Sequence, residues 1–266
     1  MNTARRSLLH GALAAPWWAQ AAPEPVLRAV AGDGTVPFNA LVDGRLQGLG
    51  VDLAEELARR AGLRLEVEAL PFRLAYERGL RQPDTLLFTL ARTTPREALF
   101  EWLGPIAPRD VWLWKLKRRA DIRPRHVAEA RQFRVGVVYA DAIIPTLEQL
   151  GFVSRQNLEV VHSRRALGRM LRQGRFDLIP MVIWSDGRLS AEGEHPEEAL
   201  EPVLQLTTEG GYYFTLAKGS SPELLRRLRQ AMASLRADGT LARLRRQWIP
   251  ALSALAEPDA PATAPR

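Results

Sequence analysis

The chain has 266 residues, of which 46% are hydrophobic and 25% are charged, and this composition is typical of a globular protein. It has no cysteine, which excludes a disulfide framework, a thiolate nucleophile, a cysteine-bound metal and a lipid anchor on an N-terminal cysteine. The net charge of +7 is spread along the chain, and no segment combines dense basic residues with interleaved aromatic ones, so we expect no nucleic-acid partner.

Residues 1–21 are typical of an export signal. Arg5 and Arg6 supply a positive start, a short apolar stretch follows, and residues 19–21 form a small-residue cleavage site. The paired arginines favour the twin-arginine route, but Ala4 stands where that route usually has Ser or Thr, so an ordinary Sec signal is equally compatible. The apolar stretch is too short to remain as a stable membrane anchor. We therefore expect a periplasmic protein.

Strand and helix patterns then alternate along the chain. The first series has strand patterns at 26–31, 64–70 and 85–90 and helix patterns at 50–62 and 72–79. The second has strand patterns at 111–116, 133–138, 158–163, 176–184, 202–207 and 212–218 and helix patterns at 142–150, 164–173, 222–237 and 240–248. Such alternation predicts mainly parallel sheets covered by helices, arranged as two α/β lobes with a cleft between them. The Ala- and Pro-rich stretch 251–266 predicts a disordered tail.

The segment FTLARTTPREALFEWLGP (88–105) contains the pattern of a helix start. Thr94 suits the N-cap, Pro95 suits the first helical position, and Glu97 would complete a capping box. Arg96 would then lie in the first turn, where the helix dipole disfavours a cation by roughly 0.3–1 kcal/mol. This placement suggests that Arg96 has an anionic partner.

Four stretches in order carry a resemblance to a known family. They are VPFNALVDGRLQGLGVDLAEELARRAG, FTLARTTPREALFEWLGP, FRVGVVYADA and AKGSSPELLRRLRQAMASLRADGTLARLRRQW. Together they resemble the family 3 extracellular solute-binding proteins, periplasmic proteins that serve polar amino-acid ABC importers. The resemblance implies a monomer of the type II periplasmic binding fold, with two crossing hinge strands. It implies one lobe from 22–108 and 208–250, a second lobe from 109–207, and a ligand cleft between them.

The resemblance also implies site residues. Arg96 corresponds to the arginine that holds the ligand's carboxylate through a two-pronged ion pair, a task that suits a planar guanidinium. Phe38 corresponds to the aromatic residue that packs over the ligand, with a place in the core as its alternative. Thr89 falls where the family presents backbone groups to the ligand, and Ala91 falls where a ligand-binding hydroxyl is often found.

Other candidates follow more loosely. Arg73 and Tyr76 lie on the short helix after Pro71 and are expected to line the cleft or to be a solvated arginine and a half-buried tyrosine. Arg92 faces either the pocket or solvent. Asp141 and Ala142 begin a helix of the second lobe, where backbone N–H groups can receive an anion or Asp141 can serve as the N-cap.

One departure from the family concerns the ligand's amine. Amino-acid binders usually place an aspartate on a strand of the second lobe, and the corresponding position here is about Val182. Asp186 follows a few residues later. Without that carboxylate, an organic acid or a modified amino acid becomes more plausible as the ligand, and the candidate arginines also favour negative charge.

Motifs of enzyme sites are absent from the sequence. There is no G-x-S-x-G, phosphate-binding loop or G-x-G-x-x-G, and the four histidines lack metal-ligand spacing. We therefore expect no metal, cofactor or turnover. The sequence predicts a binding protein that delivers a small anionic or zwitterionic ligand to an ABC permease. The alternatives are a dehydratase-like enzyme on the same scaffold and a ligand-sensing module for a separate receptor.

Overall fold

A computed structural model of the protein describes residues 24–32, 37–42, 44–183 and 200–250. The first part contains β1 (Val26–Gly32), β2 (Ala40–Val42), β3 (Arg45–Gln47), α1 (Leu49–Arg60), β4 (Arg64–Leu70), α2 (Phe72–Arg81), β5 (Thr85–Ala91), a 3₁₀ helix (Thr94–Leu99), β6 (Phe100–Pro108) and β7 (Val111–Leu116). The second contains α3 (Val127–Ala130), β8 (Val135–Val138), α4 (Ile144–Gln149), β9 (Leu158–Val161), α5 (Arg164–Arg172), β10 (Ile179–Val182), β11 (Leu200–Thr207), β12 (Gly211–Ala217), α6 (Pro222–Ala237) and α7 (Thr240–Trp248). The predicted export signal and tail lie outside the described residues.

The first sheet has the strand order β4-β1-β5-β12-β6. Strand β1 runs parallel to β4 and β5, whereas β12 runs antiparallel to β5 and β6. Strand β5 is buried along its whole length because helices cover both faces of the sheet. Successive residues of β5 pack on opposite faces of the sheet: Phe88 joins the cluster beneath α1, α6 and α7, and Leu87 joins the cluster beneath α2.

Strand β6 was not predicted, because Gly104, Pro105 and Pro108 argue against a strand. The structure places it at the edge of the first sheet. One side of an edge strand has no neighbour, so a proline there can lack an N–H without breaking the pairing between strands.

The chain then crosses at 109–110 to a second sheet, of order β10-β7-β11, and returns at 208–210. Strands β8 and β9 run parallel beside it, connected through the bridge from Val135 to Leu178.

The second sheet has a core of its own. Leu113, Val137, Leu147 and Leu178 are all fully buried in one cluster of that core. The five-stranded sheet thus takes its strands from 26–108 and 211–217, and the three-stranded sheet takes its strands from 111–207, while β2-β3 and β8-β9 are separate two-stranded sheets. Within the described ranges, no helix is long and apolar enough to cross a membrane.

A charge cluster holds α1 against α7. The Glu56 carboxylate accepts hydrogen bonds from Arg59 Nη2 at 2.7 Å and Arg60 Nε at 3.0 Å, and Arg60 Nη2 reaches the Thr240 hydroxyl at 2.9 Å. The hydrogen bond from Arg59, opposed by burial and assisted by Arg60, lowers the pKa of Glu56 from 4.5 to about 2. A carboxyl whose pKa is lower in the folded state stabilises the fold above its unfolded pKa and loses that effect as pH falls.

We therefore expect Glu56→Gln to lower the free energy of unfolding at pH 7 by about 1 kcal/mol, because the pair is partly exposed and screened. The difference from wild type should shrink as pH falls from 4.5 towards 2. Urea unfolding of both proteins at pH 7 and pH 3 measures this difference in the free energy of unfolding. Glu55→Gln, an exposed substitution on the same helix, is the control. A difference that is the same at both pH values would contradict the assignment.

Candidate ligand-binding cleft

Arg96 is a buried arginine between the two sheets, with 8% of its surface exposed. Its Nη1 donates to the Ala91 carbonyl at 3.2 Å, at the end of β5, and its Nη2 donates to the Ala140 carbonyl at 2.7 Å, just after β8. Its guanidinium carbon lies 5.2 Å from the centre of the Tyr76 ring. Among the described residues, no carboxylate lies within ion-pair distance of this guanidinium.

The electrostatics of Arg96 are those of a charge short of compensation. Burial lowers the pKa of Arg96, and nearby Tyr76 and Asp141 oppose that effect, while the positive charge of Arg109 adds to it. An added anion at this guanidinium would therefore gain a charge-assisted hydrogen bond in a region that water reaches poorly.

The predicted capping box is wrong. The segment forms a six-residue 3₁₀ helix whose N-cap is Thr93 rather than Thr94, and no side chain caps it. Glu97 turns away from the helix start and forms a two-pronged pair with Arg92, with Nε to Oε2 at 2.7 Å. The position of Arg96 therefore follows from burial beside Tyr76 and from its two carbonyl acceptors.

Arg92 and Arg73 pair with carboxylates of their own. Besides pairing with Glu97, Arg92 stacks on two aromatic rings. Its guanidinium carbon lies 5.5 Å from the centre of the Trp102 ring and 5.3 Å from the centre of the Tyr213 ring. Arg73 is exposed and pairs with Glu77 one turn along α2. The structure thus gives both arginines local carboxylate partners, while half-buried Tyr76, predicted with Arg73, does lie against Arg96.

Phe38 lies in the buried core cluster of the first sheet, the alternative place that the sequence left open for it, and packs against Tyr212. The ring of Phe38 lies 5.0 Å from that of Tyr212 on β12, and Phe38 is 1% exposed. The Phe38 loop is held from behind because Gly50 N donates to the Phe38 carbonyl at 2.8 Å. Burial raises the pKa of the Tyr212 hydroxyl. The positive charge of Arg109 opposes this shift, and the negative charge of Asp141 adds to it. Sequence reasoning missed Tyr212, since a tyrosine on an apolar strand is an ordinary core pattern.

Thr89 supports the cleft from inside the first sheet. Its φ of 53° is a strained value for a β-branched residue, and such strain clusters at functional sites. Its hydroxyl donates to Asn39 Oδ1 at 3.0 Å, and Asn39 in turn donates to the Gly32 carbonyl. This side chain is therefore committed to the scaffold, and the role of Thr89 in offering backbone groups to a ligand stays a prediction. Ala91 contributes the carbonyl that orients Arg96.

Asp141 and Ala142 lie in the turn between β8 and α4. Helix α4 begins at Ile144 with Ile143 as its N-cap, so the predictions of a helix from 142 and of Asp141 as its cap are wrong. Asp141 Oδ1 instead accepts from Ile143 N at 3.1 Å within the turn. The half-buried Asp141 remains close enough to act on the pKa values of both Arg96 and Tyr212.

Arg109 is the second residue that sequence reasoning missed. It lies on the first crossing, is 4% exposed, and its Nη1 donates to the Glu209 carbonyl of the second crossing at 3.2 Å. Its signal in the sequence was a charged residue between two apolar strands.

Val182, the position of the missing family aspartate, pairs with Val111 in the second sheet, and Asp186 lies outside the described residues.

The described residues contain no group of three or more histidine, aspartate or glutamate side chains that could hold a metal. The Nδ1 of His126 accepts from Glu129 N at the start of α3. The ring of His162 lies 5.9 Å from that of Tyr139. Neither geometry indicates catalysis.

The fold is similar to many solved binding and sensing proteins. A histidine kinase sensor domain with similarity to periplasmic binding proteins has 17% identity and a TM-score of 0.73, covering 85% of this chain and 97% of that one. An arginine transport periplasmic binding protein from Legionella pneumophila has 15% identity and a TM-score of 0.73, covering 84% and 99%. An amino acid ABC transporter substrate-binding protein from Streptococcus pneumoniae, bound to L-arginine, has 18% identity and a TM-score of 0.69, covering 87% and 95%.

These similarities confirm the predicted two-lobed α/β fold of type II periplasmic binding proteins with its central cleft. No curated protein matches the chain by sequence. The sequence profile of the bacterial extracellular solute-binding proteins, family 3, matches residues 27–251, which is most of the chain. The chain therefore belongs to the bacterial extracellular solute-binding proteins, family 3.

Proposed function

We propose that the protein captures a small carboxylate-bearing ligand, an amino acid or related organic acid, in the cleft and delivers it to an ABC importer. The observation that carries this proposal is Arg96, buried between the two sheets and bonded to backbone carbonyls, with no carboxylate of a described residue beside it. A buried guanidinium is costly unless paired, and a ligand carboxylate supplies the pair.

The surrounding residues support a ligand site of definite shape. Tyr76 lies against the guanidinium, and the packed pair of Phe38 and Tyr212 would offer an aromatic surface to the ligand's carbon skeleton. We propose that the lobes comprise 22–108 with 208–250 and 109–207, and that they close over the ligand about the two crossings. Export through residues 1–21 would place this activity in the periplasm, where a permease meets the closed form.

A sensing role has support of its own. One similar solved structure is the sensor domain of a histidine kinase, and family membership is compatible with that role as well. The ligand chemistry is the same in both roles, and they differ in the partner that recognises the closed form. Binding without turnover is common to both.

Calorimetry with the purified mature protein tests the proposal. The panel contains the common amino acids and small mono- and dicarboxylic acids, each recovered afterwards and analysed for chemical change. We expect saturable binding of at least one carboxylate ligand, recovered intact, together with a rise in melting temperature. Absence of binding and of any thermal shift at millimolar concentration, or conversion of the ligand to a product, would overturn it.

A further inference from the structure

Two buried arginines flank Tyr212 at the end of the first sheet. Tyr212 pairs with Ala91 on one side and with Ala107 on the other. The carbonyl of Ala91 accepts from Arg96, and Arg109 lies two residues beyond Ala107, just after β6 ends. The two arginines therefore follow strands that lie on opposite sides of Tyr212.

Arg109 is more deeply buried than Arg96, at 4% against 8% exposed. Among the described residues, its side chain donates one hydrogen bond, to the Glu209 carbonyl, which uses one of the five N–H groups of a guanidinium. No carboxylate of the described residues pairs with it. The adjacent Asp110 is already engaged, because its Oδ1 accepts from Trp112 at 2.8 Å and from Gln205 at 3.0 Å.

More cations than anions act on the pKa of the Tyr212 hydroxyl among the described residues. Arg96, Arg109 and the exposed Arg164 act on the pKa of its hydroxyl, and Asp141 is the acid that acts with them. A single carboxylate on Arg96 would leave the second buried guanidinium without an anion. A ligand with a second anionic group would compensate that charge.

We infer that Arg109 is a second anion-binding residue of the cleft, so that the ligand carries two acidic groups, one held by Arg96 and one by Arg109. This inference rests on the proposed binding function and narrows its ligand class to dicarboxylates and acidic amino acids. The alternative is that Arg109 only ties the two crossings together through the Glu209 carbonyl. The two readings differ in whether Arg109 discriminates between ligands.

The test uses pairs of probes that differ by one acidic group: butyrate and succinate, pentanoate and glutarate, asparagine and aspartate, and glutamine and glutamate. Dissociation constants are measured by calorimetry for the wild type, Arg109→Gln and Arg109→Lys. Arg226→Gln, which removes an exposed charge on α6, is the matched control for net charge. Melting temperatures establish that each variant is folded.

We expect the wild type and Arg226→Gln to bind the diacid of a recognised pair at least about tenfold more tightly than its partner. Arg109→Gln should reduce that ratio to within about twofold by weakening the diacid alone. Arg109→Lys, which keeps the charge but loses the planar fork, should retain part of the preference. If Arg109→Gln is too unstable to titrate, a loss of part of the preference in Arg109→Lys decides the question.

Two results would overturn the inference alone: a wild type that binds monoacids or amides as tightly as diacids, or a preference that survives unchanged in Arg109→Gln. A wild type that binds none of these probes, nor any carboxylate of the wider panel, would overturn the proposed function together with the inference. The pattern across the pairs therefore separates the two failures.

Discussion

Replacing Arg96 by alanine should weaken binding of the best carboxylate ligand by about 10- to 150-fold. The lost interaction is a charge-assisted, desolvated one, and such interactions contribute about 1.5–3 kcal/mol. The substitution also leaves the carbonyls of Ala91 and Ala140 without this donor. Arg96→Lys should recover only part of the affinity, because an ammonium cannot match both carboxylate oxygens at once. Calorimetry with each variant measures the change.

Arg92→Gln discriminates between the two arginines of this segment. Arg92 already pairs with Glu97 and stacks on Trp102 and Tyr213, so its loss should lower stability and leave the dissociation constant within about twofold. The two substitutions remove equal charge four residues apart. Full affinity in Arg96→Ala, or a comparable loss in Arg92→Gln, would show that Arg96 is not the residue that holds the carboxylate.

Gly48→Ala should lower the free energy of unfolding by about 2–4 kcal/mol, a large effect for one methyl group. Gly48 precedes α1 with a φ of 136°, a conformation that alanine rarely adopts. A Cβ there would lie 2.6 Å from the Pro37 carbonyl oxygen and would also collide with the Phe38 carbonyl group. Since the obstacle is backbone, relief requires the Phe38 loop to move, and ligand affinity should fall as well. Urea unfolding and calorimetry measure the two effects.

Gly44→Ala provides the matched control for this substitution. Gly44 also has a positive φ, 73°, but an added Cβ would meet nothing within 4 Å. Its cost should therefore be the conformational part alone, about 1–2 kcal/mol, with ligand affinity unchanged. Equal effects from the two glycines would contradict the collision with the Phe38 loop as the cause.

Much of the fold was predictable because buried strands and amphipathic helices leave periodic patterns. The strand predicted at 85–90 corresponds to β5, and the helices predicted near the C-terminus correspond to α6 and α7. Strand β6 escaped because Gly104 and Pro105 are acceptable only at a sheet edge, and an edge is a property of the whole sheet. The antiparallel insertion of β12 beside β5 likewise depends on the return crossing.

The candidate site was predictable only where one local motif specified it. The spacing of Arg96 to FEWLGP was enough to predict Arg96 as a site residue. Arg109 and Tyr212 come together only through the pairing of β6 with β12, which are distant in the sequence. The sequence also predicted Arg73, on the helix after Pro71, and Arg92, within the motif, yet Glu77 and Glu97 pair with them from four and five residues away. Sequence reasoning of this kind identifies charged residues more readily than it identifies which of them already have partners.

The hydrogen bond from Arg96 to the Ala140 carbonyl affects the proposed closure of the two lobes. It joins the 3₁₀ helix between β5 and β6 to the turn that follows β8 through the protein's own atoms, so the proposed closed form would have some stability before any solute arrives. Under the proposed function, that stability would set a basal output: idle transport cycles in an importer, or background signal in a sensor. A solute raises the output only by as much as it binds the closed form more tightly than the open one.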